Sequence, residues 1–205
     1  MADAASIQTP RLSRAVRRTQ LLTAARSAFV DQGYHAAAMD DIAERAGVSK
    51  PVLYQHFPSK LELYLALVGE AAADLVLQVR TAIASTADND VRVHRAVEAI
   101  FGFVGGTDQV HRLVFESDLS GNAEVGRIVE MMTQGCIEAI AEPIINDTGV
   151  DRARGLLLAA GLVGVSQVSA RYWLAQKSVV PLSEAVELVH TLAWRGISRF
   201  PRQPH

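Results

Sequence analysis

Residues 47–60, with the sequence GVSKPVLYQHFPSK, concentrate reactive and polar side chains in a chain otherwise rich in alanine and leucine. Tyr54 and His56 have side chains of the types used in proton transfer, and His56 is also a potential metal ligand. Lys50 and Lys60 are potential phosphate ligands. Which of these chemistries applies depends on the elements that position the side chains.

The composition predicts an all-α protein. The chain has 205 residues, of which 49% are hydrophobic, so it has ample material for a core. Only 6% are aromatic, and the β-branched residues do not alternate over any long run, whereas Ala, Leu, Arg and Glu are plentiful. These features favour helices over strands.

Charge and cysteine content limit the kinds of partner and metal site that this chain can have. The net charge of −2 does not indicate a nucleic-acid partner for the chain as a whole, but four arginines precede the first apolar-periodic segment as a basic arm: Arg11, Arg14, Arg17 and Arg18. Cys136 is the only cysteine, which excludes an intramolecular disulfide and a multi-cysteine metal site. In an apolar segment it is typical of a small core residue, and oxidant sensing is the alternative.

No segment predicts membrane insertion. The N-terminal region lacks a continuous apolar stretch, because Arg26 and Asp31 interrupt it. The longest nearly apolar run, residues 155–165, is too short to span a bilayer as a helix. We therefore expect a cytoplasmic protein with no membrane partner.

Apolar periodicity and capping residues place the helices. Gly33 is suited to a C-terminal cap, Ser49 to an N-terminal cap with Pro51 in the first positions of the next helix, and Ser59 with Glu62 to a capping box. The predicted helices cover residues 14–33, 42–46, 50–57, a long segment from Ser59 to residue 84, then 91–104, 108–116, 124–145, 151–176 and 183–200.

The two short helices that meet at Gly47 form a helix-turn-helix pattern, in which the second helix lies in the major groove of DNA. On that second helix, Leu53 and Phe57 lie four residues apart and are predicted to point inward. This arrangement leaves the remaining side chains of the helix facing outward: Lys50, Pro51, Tyr54 and Gln55.

Residues 42–60, with the sequence IAERAGVSKPVLYQHFPSK, resemble the TetR family of bacterial transcriptional regulators, and the resemblance extends over about residues 14–68. It implies that Lys50, Pro51 and Tyr54 face the groove, that Val52 touches a thymine methyl group, and that His56 and Lys60 contact phosphates. The predicted DNA contacts are Arg17, Arg18, Ser49, Lys50, Pro51, Val52, Tyr54, Gln55, His56 and Lys60.

One position departs from the family pattern. The family usually has Thr or Ser four residues before the Ile of the second helix, where it caps the helix and touches a phosphate, whereas this chain has Ala38. Asp40 is an alternative cap, but its carboxylate would repel phosphate. We therefore expect no DNA contact from the start of this helix.

Structural roles remain open for the predicted contacts. Tyr54 is also suited to packing, and His56 to a half-buried position with a satisfied ring. Lys50 and Lys60 are also compatible with solvated surface charge, and so are the arginines of the basic arm, for which the functional alternative is a phosphate or minor-groove grip.

The resemblance also implies a domain organisation: a flexible arm at 1–13, a helix-turn-helix DNA-binding domain at 14–68, a larger helical ligand-binding and dimerisation domain at 69–200, and a tail at 201–205. It implies a pocket among the middle helices and a dimer through the last two long helices. The expected partners are double-stranded operator DNA, a second copy of the chain and a small-molecule effector.

The second domain offers aromatic and adaptable side chains for an apolar or aromatic ligand, with His111 or Gln134 fixing its orientation. A cluster of this kind is also compatible with ordinary core packing. The candidate pocket residues are Phe101, Phe103, His111, Phe115, Met131, Met132, Gln134 and Trp173.

Small side chains on the helix before Tyr172 and apolar side chains at helical spacing on the last helix predict a four-helix dimer interface. An intrachain core is the alternative. The predicted interface residues are Gly161, Gly164, Val168, Tyr172, Val189, Ala193 and Ile197.

No metal, cofactor or catalytic site is predicted. His94 with Glu98 and Glu187 with His190 have helical spacing, but neither pair has further ligands nearby in the sequence. Phosphate-binding glycine patterns and a nucleophile elbow are absent from the sequence. We therefore predict a homodimeric repressor that binds a palindromic operator and is released by a ligand. An all-α enzyme and a helical protein-interaction module are the alternatives.

Overall fold

The computed structural model describes residues 13–106, 109–115, 119, 121–176 and 179–196. Within these residues every regular element is a helix, which confirms the predicted all-α class. The helices are α1 (Arg14–Ala36), α2 (Met39–Arg45), α3 (Lys50–His56), α4 (Lys60–Ala84), α5 (Asn89–Gly105), α6 (Val110–Phe115), α7 (Ala123–Thr148), α8 (Arg152–Ala175) and α9 (Leu182–Arg195).

The chain divides into two compact units, Met1–Leu67 and Val68–His205, and the division falls within α4. The first unit contains α1, α2 and α3 with the start of α4. The second contains the rest of α4 and α5 to α9. Of the predicted arm at 1–13, only residue 13 is described. The predicted tail at 201–205 lies outside the described part of the chain.

The core of the first unit is built on the apolar stripe of α1. Leu21, Leu22 and Phe29 are buried there, and the ring of Phe29 meets that of Tyr64 edge-on at 5.2 Å between centroids. The chain leaves helical dihedral angles at Gly33, where φ is 79° and ψ is 166°, and a last short turn follows to Ala36. A glycine is suited to this position because side chains are strained at positive φ.

In the second unit, α5 packs against α8 and α9, and α7 packs against α8. The approach of α8 to α7 depends on Gly155, where a Cβ atom would lie 2.4 Å from Cγ1 of Ile145. Most of the predicted helix ends are close to the observed ones. α5 begins earlier than predicted because the Asp88 carboxylate accepts the amides of Asp90 and Val91. α7 continues beyond the predicted end, to Gly149 in the left-handed conformation.

Candidate nucleic-acid interface

The turn between α2 and α3 is set by Gly47. Its φ is +61°, and no atom lies within 4 Å of the position that a Cβ would occupy. Its amide donates to the carbonyl of Glu44 at 2.9 Å, and the amide of Val48 donates to that of Ala43 at 3.0 Å. These bonds end α2 and redirect the chain into α3, as the helix-turn-helix pattern predicts.

The two faces of α3 are divided as the sequence predicts. Leu53 is buried, as is Phe57 directly after the helix, whereas Pro51 and Gln55 are exposed. Tyr54 is 39% exposed, although it is a large aromatic side chain. The apolar residues therefore anchor a short helix whose polar side remains accessible to a partner.

Lys50, at the start of α3, is paired with an acidic residue of α2. Its Nζ lies 2.8 Å from Oδ1 of Asp40 and 3.1 Å from Oδ2, although the two side chains are 57% and 63% exposed. The hydrogen bond to Asp40, and then the charge of that carboxylate, raises the pKa of Lys50. The prediction that Lys50 faces the groove did not include this pair with an exposed carboxylate of α2.

Two of the predicted caps differ from the structure. Ser49 occupies the N-cap position of α3, but its hydroxyl makes no capping hydrogen bond, so the cap predicted there is wrong. At the start of α2, Ala38 is the N-cap residue and makes no side-chain bond, and Asp40 lies within the first turn instead of capping it. The prediction for Ser59 is confirmed, since its hydroxyl accepts the amide of Glu62 at 3.1 Å.

Lys60 has partners within the protein. Its Nζ donates to the carbonyl of His35 at 3.1 Å and to that of Ala37 at 3.0 Å, and it lies 4.7 Å from the centroid of the Tyr34 ring. This lysine therefore connects the start of α4 to the end of α1. His56 ends α3 and is half-buried, with its ring beside that of Phe57.

Two arginines of α1 have partners within the first unit. The guanidinium of Arg17 donates to Gln20 at 2.8 Å, and Gln20 in turn donates to the carbonyl of Ala46, beside the turn, at 2.6 Å. The guanidinium of Arg18 lies 4.8 Å from the centroid of the Phe57 ring. Arg11 lies outside the described residues. No local sequence pattern indicates the role of Gln20, because its partner is 26 residues away.

The expected ligand-pocket residues do not all converge in the second unit. Phe101 and Met132 are buried, and the rings of Phe101 and Trp173 are 5.9 Å apart. Met131, however, is 74% exposed, and Gln134 is exposed and donates to Glu138 at 3.1 Å. Placing Met131 and Gln134 in an interior pocket was therefore wrong, because the turn of α7 directs them away from Met132.

The remaining pocket candidates divide between two places. Phe103 and Phe115 meet edge-on at 6.2 Å, and Arg171 lies over the Phe115 ring. His111 is buried and lines an open groove of about 610 Å³ with Val104 and Leu174. A small, partly open space of about 20 Å³ lies between α4, α5, α7, α8 and α9, beside Ile140 and Ser166.

A second cleft, of about 750 Å³, was not anticipated from the sequence. It is lined by charged residues of both signs, among them Arg80, Arg152, Glu138 and Glu142, around an apolar floor that includes Leu156. The sequence did not indicate this cleft because one part of its wall comes from α4 and α5 and the other from α7 and α8, which are distant along the chain.

The predicted dimer residues occupy a surface of α8 and α9 that the chain itself leaves partly open. Val168 and Tyr172 are exposed large side chains, and Gly161 is exposed between them and the equally exposed Leu157. Gly164, Val189 and Ala193 are half-buried, and Ile197 lies outside the described residues.

By length and composition α8 as a whole is apolar enough to cross a membrane, although the shorter run read from the sequence is not. Only 28% of its most apolar window is buried inside this chain. An apolar helix with little burial inside its own chain can also be covered by a second protein surface. The composition of α8 is therefore weak evidence for a membrane-spanning helix.

His94 and His190 make their shortest contacts with carboxylates across helices, and His190 also lies 3.9 Å from Glu187 of its own helix. Nε2 of His94 on α5 lies 2.9 Å from Oε1 of Glu187 on α9, and Nε2 of His190 on α9 lies 2.5 Å from Oδ1 of Asp90 on α5. The two imidazole rings are 5.2 Å apart. Within the described residues, no group of three His, Cys, Asp or Glu side chains is placed to hold a metal ion.

Comparison with known proteins agrees with this geometry. Residues 21–67 match the model of the bacterial regulatory proteins of the tetR family. The chain is 48% identical over 191 residues to the HTH-type transcriptional activator FasR of Mycolicibacterium smegmatis, a match that covers 93% of this chain and 87% of FasR.

Solved structures share the whole architecture. A TetR-like transcriptional regulator from Rhodococcus sp. RHA1 is 31% identical, with a TM-score of 0.67 over 93% of this chain and 100% of that protein. The transcriptional regulator FadR from Bacillus subtilis, in complex with stearoyl-CoA, has a TM-score of 0.72 at 20% identity over 87% of this chain and 98% of that one, a likeness that shows the fold alone.

The turn at Gly47, the divided faces of α3 and the extent of the match to FasR lead to one assignment. The chain belongs to the tetR family of bacterial regulatory proteins and is a transcriptional regulator.

Proposed function

We propose that this regulator is a cytoplasmic homodimer that binds a palindromic operator through α3 and responds to an apolar small molecule. The observation that carries the proposal is the exposed polar side of α3, which presents Lys50, Tyr54 and Gln55 while Leu53 and Phe57 fix the helix from below. A short helix anchored in this way can lie in the major groove, where side chains distinguish the base pairs.

The proposed sign of the regulation follows FasR. A repressor was expected from the sequence, but FasR, which is 48% identical over 93% of this chain, is named as an activator. We therefore propose activation at the principal target. In vitro transcription with and without the purified protein distinguishes the two, because an activator raises transcript yield and a repressor lowers it.

The effector proposed here is apolar. Phe101, Trp173 and Met132 provide apolar surface in the second unit, and the Bacillus subtilis FadR of similar fold holds stearoyl-CoA. The space beside Ile140 and Ser166 is only about 20 Å³, so a ligand that lies between the helices requires side chains or helices to move. A thermal-shift series with acyl-CoA thioesters of increasing chain length should raise the melting temperature, whereas coenzyme A alone should not.

Tyr54 provides the test of the DNA-reading role. Tyr54→Ala should weaken binding to a selected operator by about 1 to 3 kcal/mol if the side chain reads a base. Tyr54→Phe keeps the ring and removes the hydroxyl, so it separates stacking or methyl contact from hydrogen bonding. Fluorescence anisotropy measures both variants. Unchanged affinity of the alanine variant, with an intact helical spectrum, would assign Tyr54 to packing alone.

The relatives in these comparisons are transcription regulators, so we propose no catalytic role. An enzyme would need a convergent acid, base or nucleophile. The histidines that the structure brings together are instead each engaged by a carboxylate across the α5–α9 contact. A protein-interaction module without DNA binding is excluded if the purified chain selects a defined duplex from a random pool.

A further inference from the structure

Asp40 places a carboxylate on the side of the helix-turn-helix that carries Lys50. Its two oxygens lie 2.8 and 3.1 Å from Nζ of Lys50, so they occupy the position around the ammonium group that a phosphate oxygen would otherwise take. Both side chains are more than half exposed, so a ligand of suitable geometry can reach and displace either partner.

The pair changes what Lys50 contributes to DNA affinity. Non-specific binding comes from protein cations that neutralise phosphates and release counterions. A lysine that is already neutralised by Asp40 gains little from a phosphate alone, because an internal ion pair must break first. Exposed ion pairs contribute up to roughly fivefold in an equilibrium constant. That is enough to offset one ordinary phosphate contact.

A base edge in the major groove offers Lys50 more than a phosphate does. Lysine that donates to the acceptors of guanine discriminates against a wrong base by roughly 5- to 150-fold when the geometry is good. The ammonium group has three donor hydrogens, so it can donate to this uncharged acceptor while it keeps its pair with Asp40, whereas a phosphate is attracted by the net charge that the pair cancels. The pair therefore weakens binding to arbitrary sequences more than binding to the correct one.

We propose that Asp40 is a specificity-determining residue, which holds Lys50 as an internal phosphate substitute and so suppresses binding to non-operator DNA. The inference rests on the proposed DNA-reading role of α3, but it concerns a residue for which the sequence predicted no DNA contact. The raised pKa of Lys50 agrees with it, since the lysine remains fully charged and its pairing persists over the physiological pH range.

Asp41 provides a matched control. It is the next residue, lies in the same first turn of α2 and is also exposed, so it has a similar interaction with the helix dipole. The hydrogen bond and charge that raise the pKa of Lys50 come from Asp40. Asp41→Asn therefore removes the same charge from the same turn without releasing Lys50.

The experiment compares the full-length wild type with Asp40→Asn, Asp41→Asn, Lys50→Met and the double variant Asp40→Asn with Lys50→Met. Anisotropy titrations use a duplex that the wild type selects from a random pool and a scrambled duplex of equal length, at several NaCl concentrations. Circular dichroism melting confirms that each variant is folded.

Asp40→Asn should bind the scrambled duplex about 3- to 10-fold more tightly and the selected duplex more tightly by a smaller factor. For the scrambled duplex, the slope of log K against log [NaCl] for this variant should be steeper by about 0.9 for each α3 helix, because each released Lys50 neutralises one phosphate. Asp41→Asn should leave this slope unchanged, and Lys50→Met should remove the effect of the Asp40 substitution.

The inference is overturned if Asp41→Asn acts as strongly as Asp40→Asn, or if the Asp40 effect persists without Lys50, because either result reduces Asp40 to general negative charge. In both cases the wild type still binds its selected duplex, and the proposed function stands. A wild type that binds neither duplex at low salt would instead reject the proposed function and the inference together.

Discussion

The amine of Lys60 is bonded inside the first unit, to the carbonyls of His35 and Ala37 and over the ring of Tyr34. The family resemblance implies a phosphate contact for the same group. The two roles are compatible, because a lysine ammonium group has three donor hydrogens and the carbonyls use two of them. The structure shows the contribution of Lys60 to the fold, and its phosphate contact stays a prediction.

Lys60→Met should lower the free energy of unfolding by about 1 to 2 kcal/mol, because two charge-assisted hydrogen bonds and a cation–π contact are lost while the aliphatic stem remains. Urea denaturation measures the change. Lys50→Met is the control, since the exposed pair of Lys50 with Asp40 should contribute much less to stability. Equal stability of the two variants would contradict the structural role of Lys60.

Cys136 is buried in α7, and burial raises the pKa of its thiol from 9.0 to about 11, while the nearby charge of Arg80 acts in the opposite direction. The folded state therefore keeps the proton over a range in which the unfolded chain loses it. As pH rises from about 9 towards 11, this difference lowers the stability of the fold.

The same burial predicts an unreactive cysteine. At pH 8 iodoacetamide should label the native protein at least about 100-fold more slowly than the urea-unfolded chain, because only the thiolate reacts. Mass spectrometry of the labelled chain gives both rates, and the single cysteine makes the result unambiguous. Rapid labelling of the native protein would instead favour an oxidant-sensing role.

For the individual helices, short-range sequence patterns predicted the features that depend on interactions between residues close together in the chain. Apolar spacing and Gly47 placed α2, α3 and their turn, and the four-residue spacing of Leu53 and Phe57 predicted which side of α3 is buried. The pairs Asp40–Lys50 and Gln20–Ala46 join residues 10 and 26 positions apart, so they follow from packing that periodicity does not encode.

The pocket prediction failed for a reason of helix geometry. Met131 and Met132 are neighbours on α7, and successive residues of a helix point about 100° apart, so the two side chains face different directions. Met132 is buried and Met131 is exposed. Composition identified an apolar cluster, but it did not identify which face of α7 packs against the other helices.

The conformation of Gly47 in the turn between α2 and α3 predicts how a substitution there changes thermal stability. Gly47→Ala should lower the melting temperature by about 2 to 4 °C, because a φ of +61° costs a side chain roughly 1 kcal/mol even though no atom obstructs it. Gly102→Ala, in an open position within α5, should raise the melting temperature slightly, because alanine favours a helix. Calorimetry measures both changes. A stable Gly47→Ala variant would contradict the turn geometry.

In the molecule as a whole, contacts within a single chain do not explain why one side of α8 is both apolar and exposed. Val168 and Tyr172 remain open on it, and much of its most apolar window is not buried. A second copy placed against this surface by a two-fold axis would cover it and supply two α3 helices to one operator.

Val168→Arg tests the dimer. The wild type should have twice the 22.1 kDa mass of the chain, and the variant should dissociate about 100-fold more readily, because it places an unpaired charge in an apolar interface. Leu77→Arg is the matched control, since Leu77 is also an exposed apolar residue, 61% against 59% for Val168, but lies on α4. Light scattering after gel filtration gives the masses. A monomeric wild type, or equal dissociation of both variants, would reject this interface.

The most direct test of DNA recognition by paired α3 helices is selection of duplexes from a random pool by the purified wild-type protein, followed by sequencing. Recognition by paired α3 helices predicts an inverted repeat whose half-site centres are separated by about one helical turn of DNA or by a whole number of turns. Replacement of Tyr54 by alanine should erase the preference at specific positions of each half-site. A pool without enrichment at low salt, or one in which the Tyr54 variant selects the same sequence, would contradict it.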